Sequence, residues 1–186
     1  MSNGFHRAVP EMTMTFDKEY FRKNFFSLDR YRVSADMHCG SEGEENEATV
    51  RIIVPADNAK GKIADRFIAE NQPRGGKHIA LSASANGDGT VDALDRALRK
   101  LLEPIYPFLK SVRLIRYAVS NTSNSGTGAQ VEVFILATNG EGKLYYSAVS
   151  SASVIEASFF ALANIYNRYY RDERENAAKK ARGKIK

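Results

Sequence analysis

The 186-residue sequence has one cysteine, Cys39, three histidines, and no apolar run near the roughly 18–20 residues that a bilayer span needs. A single thiol closes no internal disulfide and builds no thiolate cage, so a zinc finger or a disulfide scaffold is not indicated. His6, His38 and His78 stand apart from one another. Alternation along a strand would turn His38 and Cys39 to opposite faces, so these residues make no metal or nucleophile-base constellation. There is no Gly-x-Ser-x-Gly elbow, and the serines 147, 150, 151 and 153 have no histidine near them in sequence. Residues 1–10 lack the basic-then-apolar order of a secretory leader, which places the expected location in the cytoplasm.

Charge of one sign is also scarce in the body of the chain. The formal net charge is +5, but residues 171–186 hold seven Lys or Arg against three Asp or Glu, leaving about +1 for the rest. A basic protein can be a nucleic-acid binder, yet here the excess sits in a terminal stretch, Lys179, Lys180, Arg182, Lys184 and Lys186, that reads as the end of a helix. Nucleic acid is therefore a minor reading, to be tested by the salt dependence such binding would show. What the chain does have is 43% hydrophobic and 26% charged residues over a length suited to one domain, enough for a real core.

The dominant pattern is repetition. Residues 31–39 and 48–55 alternate like half-buried strands around an acidic hairpin, 40–47, and a third strand, 78–85, follows Gly75-Gly76-Lys77. A helix beginning at Thr90 carries Val91, Leu94, Leu98, Leu101 and Leu102 on one face and is ended by Pro104 and Pro107. The same order recurs: strands at 112–120 and 130–138 with a hairpin marked by Asn139-Gly140, then Gly142-Lys143, a strand at 144–150, and a helix from Ser153. Ser153 with Glu156 makes a capping box. Lys77 to Lys143 spans 66 positions and Val91 to Ile155 spans 64, a difference assigned to a longer Gly-rich loop in the first copy.

These signals predict an α+β fold of duplicated βββα units. The predicted divisions are an N-terminal extension, 1–27, a domain over 28–170 and a basic tail, 171–186. Within the domain, repeat one spans 28–105 and repeat two 111–170. Tyr20, Phe21, Phe25 and Phe26 make the extension aromatic, and a segment at 56–75 with Ile63, Ala64, Phe67 and Ile68 at helical spacing is expected to pack as a short helix. One βββα unit encloses little by itself, so the copies should pack together and against a second chain.

Asn86-Gly87-Asp88-Gly89-Thr90-Val91-Asp92 is a glycine-bearing loop feeding a helix start, where free amides and the helix dipole favour an anion such as a carboxylate. Asp88 or Asp92 could accept hydrogen bonds from an ammonium group. The alternative is that the glycines make a tight strand-to-helix turn which Asp88 caps. It is not a phosphate loop, because the closing Gly-Lys-Ser/Thr is missing, nor a dinucleotide fingerprint, because the third glycine is absent.

Asn86 to Leu94, then Tyr117 with Gly126-Thr127-Gly128-Ala129-Gln130-Val131-Glu132-Val133, then Ser151 to Ser158 and Asn164 to Asn167, together resemble the C-terminal regulatory domain of 2-isopropylmalate synthase. The resemblance covers residues 28–170. That domain, shared with citramalate synthase, is a duplicated three-strand-plus-helix unit that dimerises and binds the end-product amino acid, leucine or isoleucine, as a feedback inhibitor. The family pattern has Gly-Asn-Gly-Pro where this chain has Gly87-Asp88-Gly89-Thr90, and Ser-Thr-Asp where it has Ser151-Ala152-Ser153. Its catalytic barrel, with a metal-binding His-x-His pair, has no counterpart in these residues.

The resemblance implies a feedback module without a catalytic centre, metal site or cofactor of its own, whose partners are leucine or isoleucine, a second copy and a separate catalytic synthase subunit. Carried onto this chain, the amides of Gly89, Thr90 and Val91 would hold the effector carboxylate, and Asp88 or Asp92 its ammonium. Val91, Leu94, Val154 and Ile155 would touch its side chain, beside Asn86 and Gly87, while Ser151, Ala152 and Ser153 make the second helix cap. A ligand-free dimerisation module is the alternative.

Overall fold

The computed structural model describes residues 24–37, 44–69, 76–122 and 130–183. Two three-stranded antiparallel sheets form in sequence order. Sheet A contains β1 (Ser27–Met37), β2 (Glu44–Pro55) and β3 (His78–Gly87), and sheet B contains β4 (Arg113–Asn121), β5 (Val131–Thr138) and β6 (Leu144–Ser151). Besides a four-residue helix, α1 (Ala56–Ala59), each sheet is followed by one helix: α2 (Thr90–Leu102) after β3 and α3 (Val154–Gly183) after β6. The fold is the α+β duplication of βββα units. Tyr20, Phe21, His6, His38, Cys39, residues 40–43 of the acidic hairpin, residues 70–75, Gly126 to Ala129, Lys184 and Lys186 lie outside the described residues.

Register makes the duplication specific. The first strand of each sheet slips by one residue at the same place, between Leu28 and Arg30 in β1 and between Leu114 and Arg116 in β4. A bulge re-aims the strand, and here it is copied with the strand. Beyond it, the rung Tyr31, Val50, Ala83 corresponds to Tyr117, Ile135, Ser147. Gly76 and Gly142, the glycines of the two Gly-Lys pairs, both adopt left-handed backbone, with φ of 67° and 81°.

The third-strand rungs keep an offset of 64 from Ala80 and Leu144 onward, the same offset that relates the helices. The two strand-to-helix loops are therefore equal in length, and the extra residues of repeat one, His78 and Ile79, lengthen the start of β3, where they pair with Pro55 and Val54. This corrects the assignment to a longer Gly-rich loop.

The segment after β2 is likewise not one helix. α1 stops after Ala59, Gly61 turns at a φ of 68°, a single 3-10 turn covers Asp65–Phe67, and Ile68 then bridges Leu81 of β3. The apolar spacing that suggested a helix is used instead to lay Ile63 and Phe67 on the core and Ile68 along a sheet edge. Phe25 and Phe26, assigned to an extension, are among the largest fully buried side chains. Phe25 packs edge-on against Tyr106 and stacks on Tyr170, both at 4.6 Å between ring centroids, and its N–H donates to Asn167 Oδ1.

Side-chain direction explains the packing. α2 covers β2 and β3 with Ala93, Leu94, Ala97, Leu98, Leu101 and Leu102, an apolar stripe at helical spacing. α3 is buried around most of its circumference from Ala157 to Tyr169. One side meets sheet B through Ser158, Asn164 and Tyr169. The other meets repeat one through Phe159 on Tyr31 and Tyr166 on Asp95. Beyond Tyr170 the helix continues to Gly183 with its last turns exposed.

Two consequences can be measured. A Cβ on Gly87 would lie 2.3 Å from the Ala93 backbone nitrogen, whereas one on Gly89 meets nothing within 4 Å. Gly87→Ala should lose roughly 1–3 kcal/mol in urea unfolding through overpacking, and Gly89→Ala should stay within about 0.5 kcal/mol. Asp172 bonds Lys143 at 2.5 Å. Burial raises the Asp172 pKa, but hydrogen bonds from Lys143 and Tyr145 and the charges of Lys143 and Arg171 outweigh it and hold the group below the ordinary 3.8. Its contribution is thus complete above the unfolded pKa and fades as pH falls through the folded one. The stability gap between wild type and Asp172→Asn should be present at neutral pH and close on acidification below about pH 4.

Candidate functional site at the helix starts

Both long helices begin at the same end of the domain. β1 runs antiparallel to α3, because Phe25 meets Asn167 while Tyr31 meets Phe159. β3 is parallel to β1, and α2 folds straight back along it, bringing Tyr106 to Phe25. The helix starts therefore share the end of the domain where β3 and β6 finish.

At the α2 start, Gly87 brings the end of β3 against the first turn of the helix, a closeness that a side chain would forbid. Gly89 is the N-cap residue, with extended backbone and no side-chain cap. Gly89 gives the amides of Thr90, Val91 and Asp92 no side-chain acceptor, and none caps them among the described residues. The Asp92 carboxylate reaches back to accept the Asp88 N–H at 2.9 Å, much as the acidic member of a capping box does. Asp88 itself does not cap the helix; its side chain is 94% exposed.

Arg96, which the sequence reading did not single out, binds this turn together. Its guanidinium lies 2.8 Å from Asp92 and 3.3 Å from Asp88, and it donates to the carbonyl of Asn86. The (i, i+4) spacing from Asp92 was the available signal. Asp92 is therefore engaged structurally on both counts, and Asp88 is the freer acid. Val91 is half-buried against the core, whereas Leu94 is wholly inside it.

The α3 start is built differently at the same positions. Ser153 Oγ accepts the Glu156 N–H at 3.2 Å, half of the expected capping box. The other half runs through Ser151, whose hydroxyl accepts the Ser153 N–H at 3.1 Å and donates to the Glu156 carboxylate. Ala152 is exposed, and Val154 and Ile155 are half-buried against the core. One helix start is closed by its own side chains, while the other presents amides.

Tyr31 joins the repeats at this end. Its ring stacks on Phe159 at 5.8 Å, and its pKa is raised by burial and by the nearby Glu156, against a hydrogen bond with Ser153 that lowers it. Its counterpart Tyr117 bonds Ser158 Oγ through its hydroxyl at 2.9 Å. The repeated Leu-x-Arg-Tyr of residues 28–31 and 114–117 is the signal that would have paired the two tyrosines. Truncating the cap by Ser153→Ala should cost roughly 1 kcal/mol, measured by chemical denaturation.

Residues 10–170 match the family described as the LeuA allosteric (dimerisation) domain. An (R)-citramalate synthase from Aquifex aeolicus (strain VF5) is 34% identical over 177 residues, covering 92% of this chain and 29% of its own length. Those of Geobacter sulfurreducens (strain ATCC 51573 / DSM 12127 / PCA) and Streptomyces coelicolor (strain ATCC BAA-471 / A3(2) / M145) are 30% and 31% identical, covering 85% and 84% of this chain and 26% and 25% of their own lengths. The chain thus spans between a quarter and a third of the length of these relatives. With its paired βββα units and a match over most of its length, this chain belongs to the LeuA allosteric (dimerisation) domain family.

Proposed function

We propose that this domain binds a branched-chain amino acid as a feedback effector, dimerises, and passes the occupancy of its site to a synthase that condenses an acyl group with a keto acid. The observation that carries the reading is the α2 start. Amides without a side-chain cap stand beside Asp88, an acid held only loosely by Arg96. A zwitterion needs this pairing: its carboxylate on the amides of Gly89, Thr90 and Val91, its ammonium on Asp88. Val91, Val154 and Ile155 supply apolar surface at the same end of the domain. The curated relatives are named citramalate synthases, which tilts the effector from leucine toward isoleucine. Regulation then requires only that two conformations bind the effector unequally, typically by about 1–3 kcal/mol.

The competing reading is a dimerisation module without a ligand, favoured by the contacts that tie Asp88 and Asp92 to Arg96. Calorimetric titration with isoleucine, leucine and valine separates the two, and heat from none of them would leave only the module. Gly89→Asp supplies the sharper control. It would place a carboxylate on the α2 amides, stabilising the helix by a few tenths of a kcal/mol relative to glycine while displacing the effector. Binding should fall by at least about tenfold, the worth of a lost charge-assisted contact, with Tm unchanged or higher.

A further inference from the structure

The duplication supplies an internal standard for what a solvent-facing sheet should look like in this protein. Directly paired residues share a face, so the outer face of each sheet can be read rung by rung. On sheet A it carries Arg30, Arg51 and Ser82, then Arg32, Thr49 and Ser84. The corresponding rungs of sheet B are Arg116, Leu136 and Tyr146, then Ala118, Phe134 and Ala148. Five of the six polar residues have become apolar. At the matched bulge, Asp29, which bonds Arg51 at 2.6 Å, is replaced by Ile115, 55% exposed. Tyr146 and Leu144 are each 59% exposed.

An antiparallel sheet with one face on its helices normally keeps the other face polar. At these rungs sheet A obeys this and sheet B does not, although both are built on one plan. Three strands of eight or nine residues present roughly 350–400 Å² in projection. Patches of a few hundred Å² are about the largest that monomers leave open. With its rim, the face comes within reach of the roughly 800 Å² per partner of a standard interface.

We propose that the outer face of sheet B is where a second copy of this chain docks, sheet on sheet. The proposal rests on the dimerisation in the preceding section and gives it a surface. Charge placement identifies the occupant. The apolar rung Ala118, Phe134, Ala148 has Arg116 on one flanking rung and Glu132 on the other. A twofold axis lying in the interface and crossing the strands at Phe134 sets the Arg116 rung over the Glu132 rung of the second copy. The face is self-complementary, as an isologous interface requires, and sheets so packed lie about 10 Å apart.

The test is the mass of the full chain by light scattering and sedimentation from nanomolar to high micromolar concentration, with circular dichroism to confirm folding. Wild type should be a dimer. Ala148→Arg should weaken it roughly 100-fold by forcing an unpaired guanidinium into the interface, and Ser84→Arg, its counterpart on sheet A, should leave it unchanged. Arg116→Glu and Glu132→Arg should each weaken association and the double variant restore it. A monomeric wild type overturns the dimerisation reading itself. A dimer that survives Ala148→Arg, or is weakened equally by Ser84→Arg, keeps that reading and overturns the surface, as does failure of the double variant to recover.

Discussion

The seam between the repeats turns on one buried acid. Asp95 is almost fully enclosed, and its carboxylate accepts the hydroxyl of Tyr166 from α3 and the Nε–H of Arg99 from its own helix at 2.8 Å. Arg99 goes on to the carbonyls of Leu109 and Val112 and to Glu103. Burial would lower the pKa of Arg99, but Tyr166, Asp95 and Glu103 outweigh it and the group stays firmly charged. Burial and Asp95 together push the Tyr166 hydroxyl well above its ordinary range, so it remains a donor. Losing Asp95 or Arg99 would leave the other as a largely enclosed charge without its counter-ion, whereas losing Tyr166 would cost a buried hydrogen bond and packing. It fastens α2, the turn after it and α3 in one arrangement, and the relation of the two helix starts depends on that arrangement.

Much of this architecture was legible in the sequence because it obeys simple periods. Alternation at two located the six strands found among the described residues, and the stripe from Val91 to Leu102 located α2. The Ser153 cap marked the start of α3. What was not legible depends on contacts between distant segments. Nothing local tells that Ile68 will bridge Leu81 rather than extend a helix, or that Phe25 will fill a gap between Tyr106 and Tyr170. At the candidate site the loop and both helix starts could be placed. The division of labour could not, since it took Arg96 to show that Asp92 is engaged and Asp88 is the freer acid.

The two halves have kept their backbone plan and diverged in what they present. One helix start is closed by Ser151, Ser153 and Glu156, and the other has no side-chain cap. The Asp95 position of α2 is Phe159 in α3, so the same place is polar in one half and aromatic in the other. Tyr31 lies beneath a ring from the opposite repeat, whereas Tyr117 bonds within its own. Duplication provides a scaffold in which one member of each pair can hold the structure and the other can specialise, without a new fold.

The bridge from Ile68 to Leu81, with Ala69 donating to the carbonyl of Ala80, closes the free side of β3. On the other sheet, Arg168 caps the carbonyl of Tyr146 on the free side of β6. Each sheet thereby has some of the backbone groups along one margin already engaged, which leaves fewer there for an added strand to pair with. A protein with so much exposed β-structure would otherwise invite runaway fibre growth; here the ribbons are blunted at one end, which limits how far misassembly can propagate.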